Sequence, residues 1–305
     1  MTTTAGDRIP ALLLFGATGQ VGLAVRAALG TSWRIVAPPR SEVSLDDPVR
    51  VASYVRAIGA DAVVNAAAYT RVDDAEQDVE RVRLINAAAP AAMAAGCADL
   101  GARFIHLSTD YVFDGSGSLP YAPDAAPQPL NVYGRTKAMG EQLVLEALPD
   151  ALVLRTAWVH SGHGTNFVAT AVRRLVAEGV MRVVDDQVGT PTAASTIASV
   201  IGSALEIPSF SGIQHVTDAG VASWYDVAQT VADTLRSDGI RHDLTVVPVS
   251  SAEFPRPARR PAVSLLDTTG TRRALGWSPP FWRDGVVTST RAWCAALSLS
   301  SRNHG

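Results

Sequence analysis

Short apolar runs alternate with longer amphipathic stretches along the first half of this chain. The run Ala11–Phe15 is uniformly apolar, as expected of a buried parallel strand, and a helical stretch follows it to Leu29. Further strands are predicted at 33–37, 61–65, 103–108 and 151–154, and further helices at 47–58, 80–100 and 132–148. Strands separated by helical segments predict an α/β fold in which helices cover both faces of a doubly wound parallel sheet, the Rossmann arrangement.

The second half of the chain is less regular. Helices are predicted at 166–178, 195–205, 223–235 and after Trp282, with a strand at 181–184. A chain of 305 residues forms one large domain or two modest ones. We expect the Rossmann domain over 1–155 and a smaller C-terminal domain over 156–305, with segments near 190–210 and 223–250 packing back on the first domain.

A glycine-rich turn, Gly16-Ala-Thr-Gly19-Gln-Val-Gly22, connects the first strand to the first helix. Glycines allow a tight turn and a close approach of the backbone to a ligand, while the helix N-terminus offers amide donors. Strand, turn and helix together predict a pyrophosphate site for a dinucleotide. A tight turn without a ligand is the alternative interpretation.

The end of the second predicted strand bears on the choice of nicotinamide cofactor. NAD sites usually carry an acid there for the adenosine ribose, whereas this chain has Pro38-Pro39-Arg40. Arg40 is a candidate partner for a 2′-phosphate, which favours NADPH over NADH. An ordinary exposed loop arginine is the other interpretation.

Polar clusters follow two further strands, at the sheet edge where ligands of such folds collect. The segment from Asn65 to Thr70 follows one strand, and Ser108 to Tyr111 follows the next. A hydroxyl in the second cluster is suited to bind a substrate carbonyl, although capping of a turn also explains Ser108 and Thr109.

The basic residues contain one exception. Of 26 lysines and arginines, Lys137 is the only lysine, and it lies four residues after Tyr133 in a predicted helix. Residues four apart share a helix face, so the ring and the ammonium can face one object. Bringing a tyrosine pKa from about 10 to ~7 requires roughly 4 kcal/mol from the ammonium and its surroundings. The pair therefore predicts proton transfer, against the alternative of a chance lysine on a solvated face.

Composition excludes several classes of function. The hydrophobic content is 47%, and the net charge of −3 offers no basic surplus for nucleic acid or an anionic membrane. No run of 18 apolar residues exists, and the polar stretch 1–10 lacks the features of a signal peptide. With two cysteines, Cys97 and Cys294, we expect a reduced protein of the cytoplasm.

Other motifs carry less information. The loop 254–261 is rich in proline and arginine. Its arginines could bind a phosphorylated substrate, or the loop could be an ordinary solvent-exposed one. His160 and His163 lack a third ligand nearby, so we expect no zinc site and no other metal site. The chain also lacks the nucleophile elbow of hydrolases and the phosphate loop of NTPases.

Seven segments together resemble one family, the dTDP-4-dehydrorhamnose reductases, a branch of the extended short-chain dehydrogenases/reductases. In chain order they read FGATGQVG, VNAAAYTRVDDAE, LSTDYVFDG, NVYGRTKAMGE, LRTAWVH, DDQVGTPT and PARRPAVSLLD, and they span about 12–267. The glycine turn and Tyr-x-x-x-Lys alone indicate only the superfamily. The segments STDYVFDG, NVYGRTK and DDQVGTPT narrow the resemblance to this branch.

The resemblance implies hydride transfer from NADPH or NADH to the ring ketone of dTDP-4-dehydro-L-rhamnose, which gives dTDP-L-rhamnose. Tyr133 would donate the proton, Lys137 would hold the nicotinamide ribose, and Thr109 would bind the reacting oxygen. The implied cofactor contacts are Gly16, Thr18, Gly19, Gln20, Val21, Arg40, Ser44, Leu45, Ala66, Ala67, Ala68, Tyr69, Thr70, Tyr133 and Lys137. The implied contacts with the nucleotide sugar, mostly in the C-terminal substrate-binding domain, are Thr109, Asp110, Trp158, Asn166, Arg259 and Arg260.

The chain departs from the family pattern in ways that bear on cofactor and assembly. Pro39 and Ser44 stand where the family often has aspartate, which favours NADPH. Some members dimerise around Mg²⁺ through glutamates, where this chain has Ala24 and, near a second such position, Ser195. Because a divalent cation needs carboxylate oxygens, we expect no Mg²⁺-bridged dimer and leave a monomer open.

Two other functions remain open on sequence grounds. A nucleotide-sugar epimerase or dehydratase on the same scaffold would return the hydride and show no net consumption of NADPH. A regulatory subunit that binds NADP without catalysis is the other. The presence of Thr109, Tyr133 and Lys137 together favours the reductase.

Overall fold

A six-stranded parallel sheet forms the centre of the structure, a computed structural model that describes residues 8–298. Residues 1–7 of the polar N-terminal stretch and residues 299–305 of the expected C-terminal domain lie outside the described residues. None of the helices between residues 8 and 298 is long and apolar enough to cross a membrane.

Strands and helices alternate through most of the chain. The strands are β1 (Ala11–Phe15), β2 (Arg34–Val36), β3 (Ala62–Asn65), β4 (Arg103–Thr109), β5 (Leu152–Thr156), β6 (Val159–His160), β7 (Val180–Val184), β8 (Val188–Gly189), β9 (Thr192–Ala193), β10 (Gly212–His215), β11 (Ala222–Ser223), β12 (Thr245–Val249) and β13 (Val263–Ser264). The α-helices are α1 (Gln20–Leu29), α2 (Pro48–Ile58), α3 (Val72–Ala75), α4 (Val79–Arg83), α5 (Ala89–Leu100), α6 (Val132–Ala147), α7 (Phe167–Glu178), α8 (Ala194–Glu206), α9 (Trp224–Ser237), α10 (Thr269–Leu275) and α11 (Trp282–Ala296). A π-helical segment (Leu84–Ala88) joins α4 to α5, and short 3-10 turns occupy Asp110–Val112 and Ser251–Glu253.

The strand order of the main sheet is β10-β5-β4-β3-β1-β2, with every pair parallel. This order confirms the predicted doubly wound α/β fold. Because the order reverses at β1, a crevice opens there at the carboxyl ends of the strands, where ligands of such folds bind.

The two faces of the sheet explain why β1 is apolar at every position. Leu12 and Leu14 pack on one face with α1 and α8, while Leu13 and Phe15 pack on the other with α2 and α5. Successive strand side chains point to opposite faces, so a strand covered on both sides needs apolar residues throughout.

A second core lies under the C-terminal half of the chain. Helices α7, α9 and α11 bury apolar faces against one another and against the parallel pair β7 and β12. Helix α8 packs on α1, whereas α9 belongs to this second core. Strand β10, assigned by sequence to the C-terminal domain, forms the edge of the main sheet.

Helix α6 carries Tyr133 and Lys137 and is fixed closely at its start. The side chain of Asn131 accepts a hydrogen bond from the Gly134 amide at 2.8 Å, which is a standard N-cap. A Cβ at Gly134 would lie 2.1 Å from the Tyr111 carbonyl oxygen, so only glycine allows this approach. The Val132 amide also donates to Glu76 at 2.7 Å.

A buried ion pair ties the middle of α6 to the sheet. Arg155 at the end of β5 donates to both carboxylate oxygens of Glu141, at 2.9 and 2.6 Å, and the two side chains are 1% and 3% exposed. Ser108 of β4 donates to the same carboxylate. The guanidinium also lies over the Phe113 ring, 5.0 Å from its centroid.

Breaking this pair should cost far more stability than breaking an exposed one. Glu141→Gln leaves the Arg155 charge buried without a counter-charge, and we expect it to lower the free energy of unfolding by ~3–5 kcal/mol. Glu80→Gln removes the exposed partner of Arg83 and serves as the control, with a much smaller expected loss because solvent screens that pair. Chemical denaturation measures both values, and equal losses in the two variants would contradict the expectation.

Candidate active site

A cleft of about 740 Å³ opens at the carboxyl ends of β1, β3 and β4. Many of the residues expected to bind cofactor or substrate line it. They are Gly16, Thr18, Gly19, Gln20, Val21, Ala66, Ala67, Ala68, Thr70, Thr109, Asp110, Tyr133, Lys137 and Trp158. The topology thus brings the glycine turn, the small residues after β3 and the Tyr133–Lys137 pair into one space.

The glycine turn has the geometry of a close backbone crossing. Gly16 has φ +79°, and a Cβ there would lie 2.6 Å from the Ala66 carbonyl carbon. Both the backbone conformation and the lack of space therefore exclude a side chain at this position. Gly19 precedes α1, whose first turn contains no acidic residue. The amides and positive dipole end of α1 therefore remain suited to a phosphate.

Lys137 is buried, with 2% of its surface exposed. Its ammonium nitrogen lies 2.6 Å from the Leu107 carbonyl oxygen and 3.2 Å from Nε2 of His106. Burial lowers the pKa of Lys137 to about 8, opposed by the nearby charge of Glu141. Lys137 can therefore change its protonation state near neutral pH.

Tyr133 lies half-buried on the cleft wall, and its ring meets that of Tyr111 edge-on with 5.6 Å between centroids. Burial raises the pKa of Tyr133 to about 12, while a hydrogen bond with Thr109 lowers it in part. This direction is opposite to the lowered pKa expected from sequence, because loss of water disfavours the phenolate. With this pKa, Tyr133 is a protonated phenol at neutral pH.

Asp110 places a buried carboxyl group in the cleft. One oxygen accepts a hydrogen bond from the Thr109 hydroxyl at 3.0 Å, and the other has no hydrogen-bond partner within residues 8–298. Burial raises the pKa of Asp110 to about 6, although the nearby hydroxyls of Ser264 and Thr109 oppose the rise. An unsatisfied buried oxygen of this kind is ready to accept a hydrogen bond from a ligand hydroxyl.

Trp158 has an unusual backbone and a specific neighbour. Its φ is +48°, rare for a bulky residue, and its ring stacks on Trp224 with 3.6 Å between centroids. Trp224 also lines the cleft and begins α9, far along the chain. The sequence contained no local signal for Trp224, since only the packing of the second core brings it here.

Further cleft residues were not among the candidates. They are Val72, Leu107, Ser108, Tyr111, Thr156, Val159, Gly164, Thr165 and Trp224. Ser108 and Tyr111 flank the predicted Thr109 and Asp110, so the strand-end signal already pointed to them. The others lie in five separate elements and one loop, which only tertiary packing brings together: α3, β4, β5, β6, α9 and the loop before α7.

Several predicted cofactor residues lie outside the cleft lining. Arg40 forms a 2.8 Å ion pair with Asp46, which also accepts hydrogen bonds from Ser44 and Arg81. Leu45 packs into the core beneath, and Tyr69 packs against the same small buried cluster as Tyr133.

Two predicted substrate residues also lie outside it. Asn166 caps α7 and donates to the Gln20 side chain at 2.8 Å, so it contacts a cleft residue. Arg259 is exposed, and its carbonyl accepts a hydrogen bond from Asn131 at 2.7 Å. The Asn131 contact holds the arginine-rich loop against the start of α6.

Arg260 lines a second cavity of about 350 Å³, next to the first. The two cavities share Tyr111 and Trp224. Arginines and aromatic rings dominate the lining of the second cavity, namely Arg174, Arg182, Arg256, Arg260, Phe167 and Phe254. Arg260 donates to both oxygens of Asp73, at 3.0 and 2.9 Å.

The chain is similar to proteins of known name over nearly its whole length. The family model for the RmlD substrate binding domain matches residues 10–293. The dTDP-4-dehydrorhamnose reductase of Escherichia coli K12 is 38% identical over 90% of this chain and 95% of its own length. A probable dTDP-4,6-dihydroxy-2-methyloxan-3-one 4-ketoreductase of Streptomyces antibioticus is 40% identical over 93% of this chain and 92% of its own. The crystal structure of the Bacillus anthracis dTDP-4-dehydrorhamnose reductase in complex with NADP superposes with a TM-score of 0.86 at 29% identity, covering 92% of this chain and 98% of the other.

The buried carboxyl of Asp110 should leave a signature in stability. Its pKa lies near 6 instead of the usual 3.8, so the folded state keeps a proton that the unfolded state loses between those values. Stability is therefore lost as the pH rises from about 4 to about 6. We expect the free energy of unfolding of Asp110→Asn to equal that of the wild type near pH 4. At pH 7.5 it should exceed the wild-type value by up to about 3 kcal/mol.

Denaturation at several pH values measures this difference. Asp243→Asn is the control, because Arg241 lowers the pKa of that exposed carboxyl to about 2, and no gain at high pH is expected. A difference between Asp110→Asn and wild type that stays constant with pH would contradict the expectation.

Proposed function

This chain belongs to the RmlD substrate binding domain family and is an NAD(P)H-dependent oxidoreductase, and we propose that it reduces dTDP-4-dehydro-L-rhamnose to dTDP-L-rhamnose. The observation that carries the proposal is the convergence of Thr109, Tyr133 and Lys137 on one cleft with the glycine turn. An arginine-lined cavity adjoins that cleft, as a nucleotide-sugar substrate requires.

The residues of the cleft fit a nicotinamide dinucleotide. The backbone of Ala66 occupies the space that a Gly16 side chain would need. The first turn of α1, which lines the cleft, contains no acidic residue. The turn 16–22 would hold the pyrophosphate, and Ala66, Ala67 and Ala68 offer backbone without bulky side chains. When bound, NADPH supplies the hydride for the ketone.

NADPH is the preferred cofactor in this proposal. Arg40 lies in the loop after β2, where the family resemblance puts the adenosine ribose, and it carries a largely exposed guanidinium beside Asp46. A 2′-phosphate would compete with Asp46 for this charge. The NADP complex of the Bacillus anthracis relative supports the same choice.

Tyr133 is the proton donor in the proposed mechanism. As a phenol it donates to the oxygen that becomes an alkoxide, and its O–H bond breaks as the product O–H bond forms. Thr109, beside Tyr133, hydrogen-bonds the same oxygen. The positive charge of Lys137 stabilises the phenolate that remains.

The substrate spans both cavities in the proposed binding mode. The sugar ring lies against Trp158 and the unsatisfied oxygen of Asp110, which accepts a sugar hydroxyl. The diphosphate and base occupy the second cavity, where Arg256 and Arg260 meet the phosphate charge. Tyr111 and Trp224 form the shared wall between the two ligand parts.

Alternatives differ in which sugar is used or whether hydride is consumed. The Streptomyces antibioticus relative favours a second candidate, reduction of another dTDP-linked keto sugar by the same residues. An epimerase or dehydratase would return the hydride, and a silent regulatory subunit would not transfer it.

We also propose that the protein works in the cytoplasm and forms no Mg²⁺-bridged dimer, since Ala24 and Ser195 offer no carboxylate.

Lys137→Arg tests the proposed reaction. The wild type should oxidise one NADPH for each keto sugar consumed, whereas an epimerase would show no net oxidation. The arginine keeps a positive charge but does not fit the compact site between Leu107 and His106, so we expect turnover to fall by at least ~100-fold. Near-normal turnover would rule out a catalytic role for Lys137, and an inert wild type would favour the regulatory subunit.

Arg256→Gln tests the nucleotide cavity. Arg256 is exposed and forms no ion pair within residues 8–298, so the variant should fold normally. Loss of one phosphate contact should raise KM for the sugar nucleotide about 10-fold or more while kcat changes little. Arg291→Gln, outside both cavities, is the matched control, and an equal KM in the two variants would contradict this binding mode.

A further inference from the structure

A line of hydrogen bonds connects the backbone after β3 to the amine of Lys137. The Ala67 amide lies 3.0 Å from Oδ1 of Asn65, and Nδ2 of Asn65 lies 3.1 Å from Nδ1 of His106. On the other side of the ring, Nε2 of His106 lies 3.2 Å from Nζ of Lys137. Asn65 and His106 are completely buried, so bulk solvent does not reach these contacts.

The direction of each hydrogen bond follows from the first. A backbone amide can only donate, so the Asn65 oxygen must face Ala67 and its NH₂ group must face His106. Nδ1 of His106 then accepts, and in a neutral ring the single proton is on Nε2. That proton points at Nζ of Lys137, where only the lone pair of a neutral amine can accept it.

We propose that Asn65 and His106 are positioning residues that favour the neutral amine form of Lys137 in the cofactor-free protein. An ammonium has donors only, so it would face the Nε2 proton of His106 donor to donor. The amine satisfies both neighbours, since it accepts from His106 and donates to the Leu107 carbonyl oxygen.

The other groups around this pair agree with a neutral histidine. Burial lowers the pKa of His106 well below its usual range, and a protonated Lys137 would lower it further. The Phe104 ring stacks beside it, 6.3 Å between centroids, and offers no charge. Glu141 is the acidic group that acts on Lys137, and its carboxylate is already held by Arg155 and Ser108.

The consequence for catalysis rests on the proposed function. When Tyr133 gives its proton to the substrate, a phenolate forms in the cleft, and uptake of one solvent proton at Lys137 restores neutrality. If the two protonation states of Lys137 are close in free energy, the charge of the phenolate decides whether Lys137 takes up this proton. Asn65 and His106 would thus couple the charge on Lys137 to the progress of the reaction.

Because Lys137 is the sole lysine, its protonation can be observed directly. Protein labelled with ¹³C-lysine should show one Cε resonance, and its pH titration gives the midpoint for Lys137 without cofactor or substrate. His106→Phe removes the Nε2 proton and should move the midpoint up by about one pH unit. His160→Phe is the matched control: His160 is equally buried, with one ring hydrogen bond to Ser289, and should leave the midpoint unchanged.

Asn65→Asp reverses the direction of the hydrogen bonds that run from residue 65 through His106 to Lys137. A carboxylate accepts from both Ala67 and Nδ1 of His106, so Nε2 becomes an acceptor that favours the ammonium and raises the midpoint. The negative charge of the new carboxylate also raises the midpoint of Lys137. The double variant that combines Asn65→Asp with His106→Phe measures this charge effect alone, because it lacks the histidine. We expect Asn65→Asp to raise the midpoint more in the wild-type background than in the His106→Phe background.

Three results would overturn the proposal. These are an unchanged midpoint in His106→Phe, equal effects of Asn65→Asp in both backgrounds, or a wild-type His106 ring that carries its proton on Nδ1. Two-bond ¹⁵N–¹H spectra report the last and need no variant that must fold. Since none of these measurements involves turnover, an inert enzyme with the expected titration would contradict only the proposed reaction.

Discussion

The buried contact between Glu141 and Arg155 is the interaction on which the geometry of the site depends. Arg155 ends β5, Ser108 lies near the end of β4, and Glu141 lies on α6 one turn after Lys137, so one carboxylate joins three elements. Burying two charges is expensive and is compensated only when the geometry is close to ideal. The pair therefore fixes the height of α6 against the sheet, and with it the position of Lys137 beside Leu107 and His106.

Loss of water acts on both members of the proposed catalytic pair. Burial raises the pKa of Tyr133 to about 12 and lowers that of Lys137 to about 8, so each group is pushed toward its neutral form. Opposite charges that arise together would stabilise each other in the same surroundings. Tyr133 is therefore a neutral phenol at rest, and its phenolate becomes favourable only when a positive charge faces it. The sequence-based expectation that Lys137 lowers the pKa of Tyr133 did not include the opposing effect of burial.

Local pattern predicted most of the main sheet and the glycine turn, because β1 and its neighbours are apolar over consecutive residues and are bounded by helices. Strand β10 was not predicted, since Gly212–His215 is short and mixed in polarity, and it becomes a strand only by pairing with β5. The second cavity, which Trp224 and four arginines line, was also not predicted, because it too depends on tertiary packing. Their members come from α7, β7, α9 and the loop at 254–261, which only the second core brings together.

The two cavities are connected through the start of α6. Asn131 caps α6 with its side-chain oxygen and, through its amide nitrogen, holds the Arg259 carbonyl of the loop that carries Arg256 and Arg260. Arg260 is in turn held by Asp73 at the start of α3. A displacement of the loop by a bound diphosphate would therefore pull on the N-cap two residues before Tyr133. In the proposed mechanism, recognition of the nucleotide and placement of the proton donor therefore depend on the same residue, Asn131. A substrate without its nucleotide should then lose the orientation of Tyr133 as well as affinity.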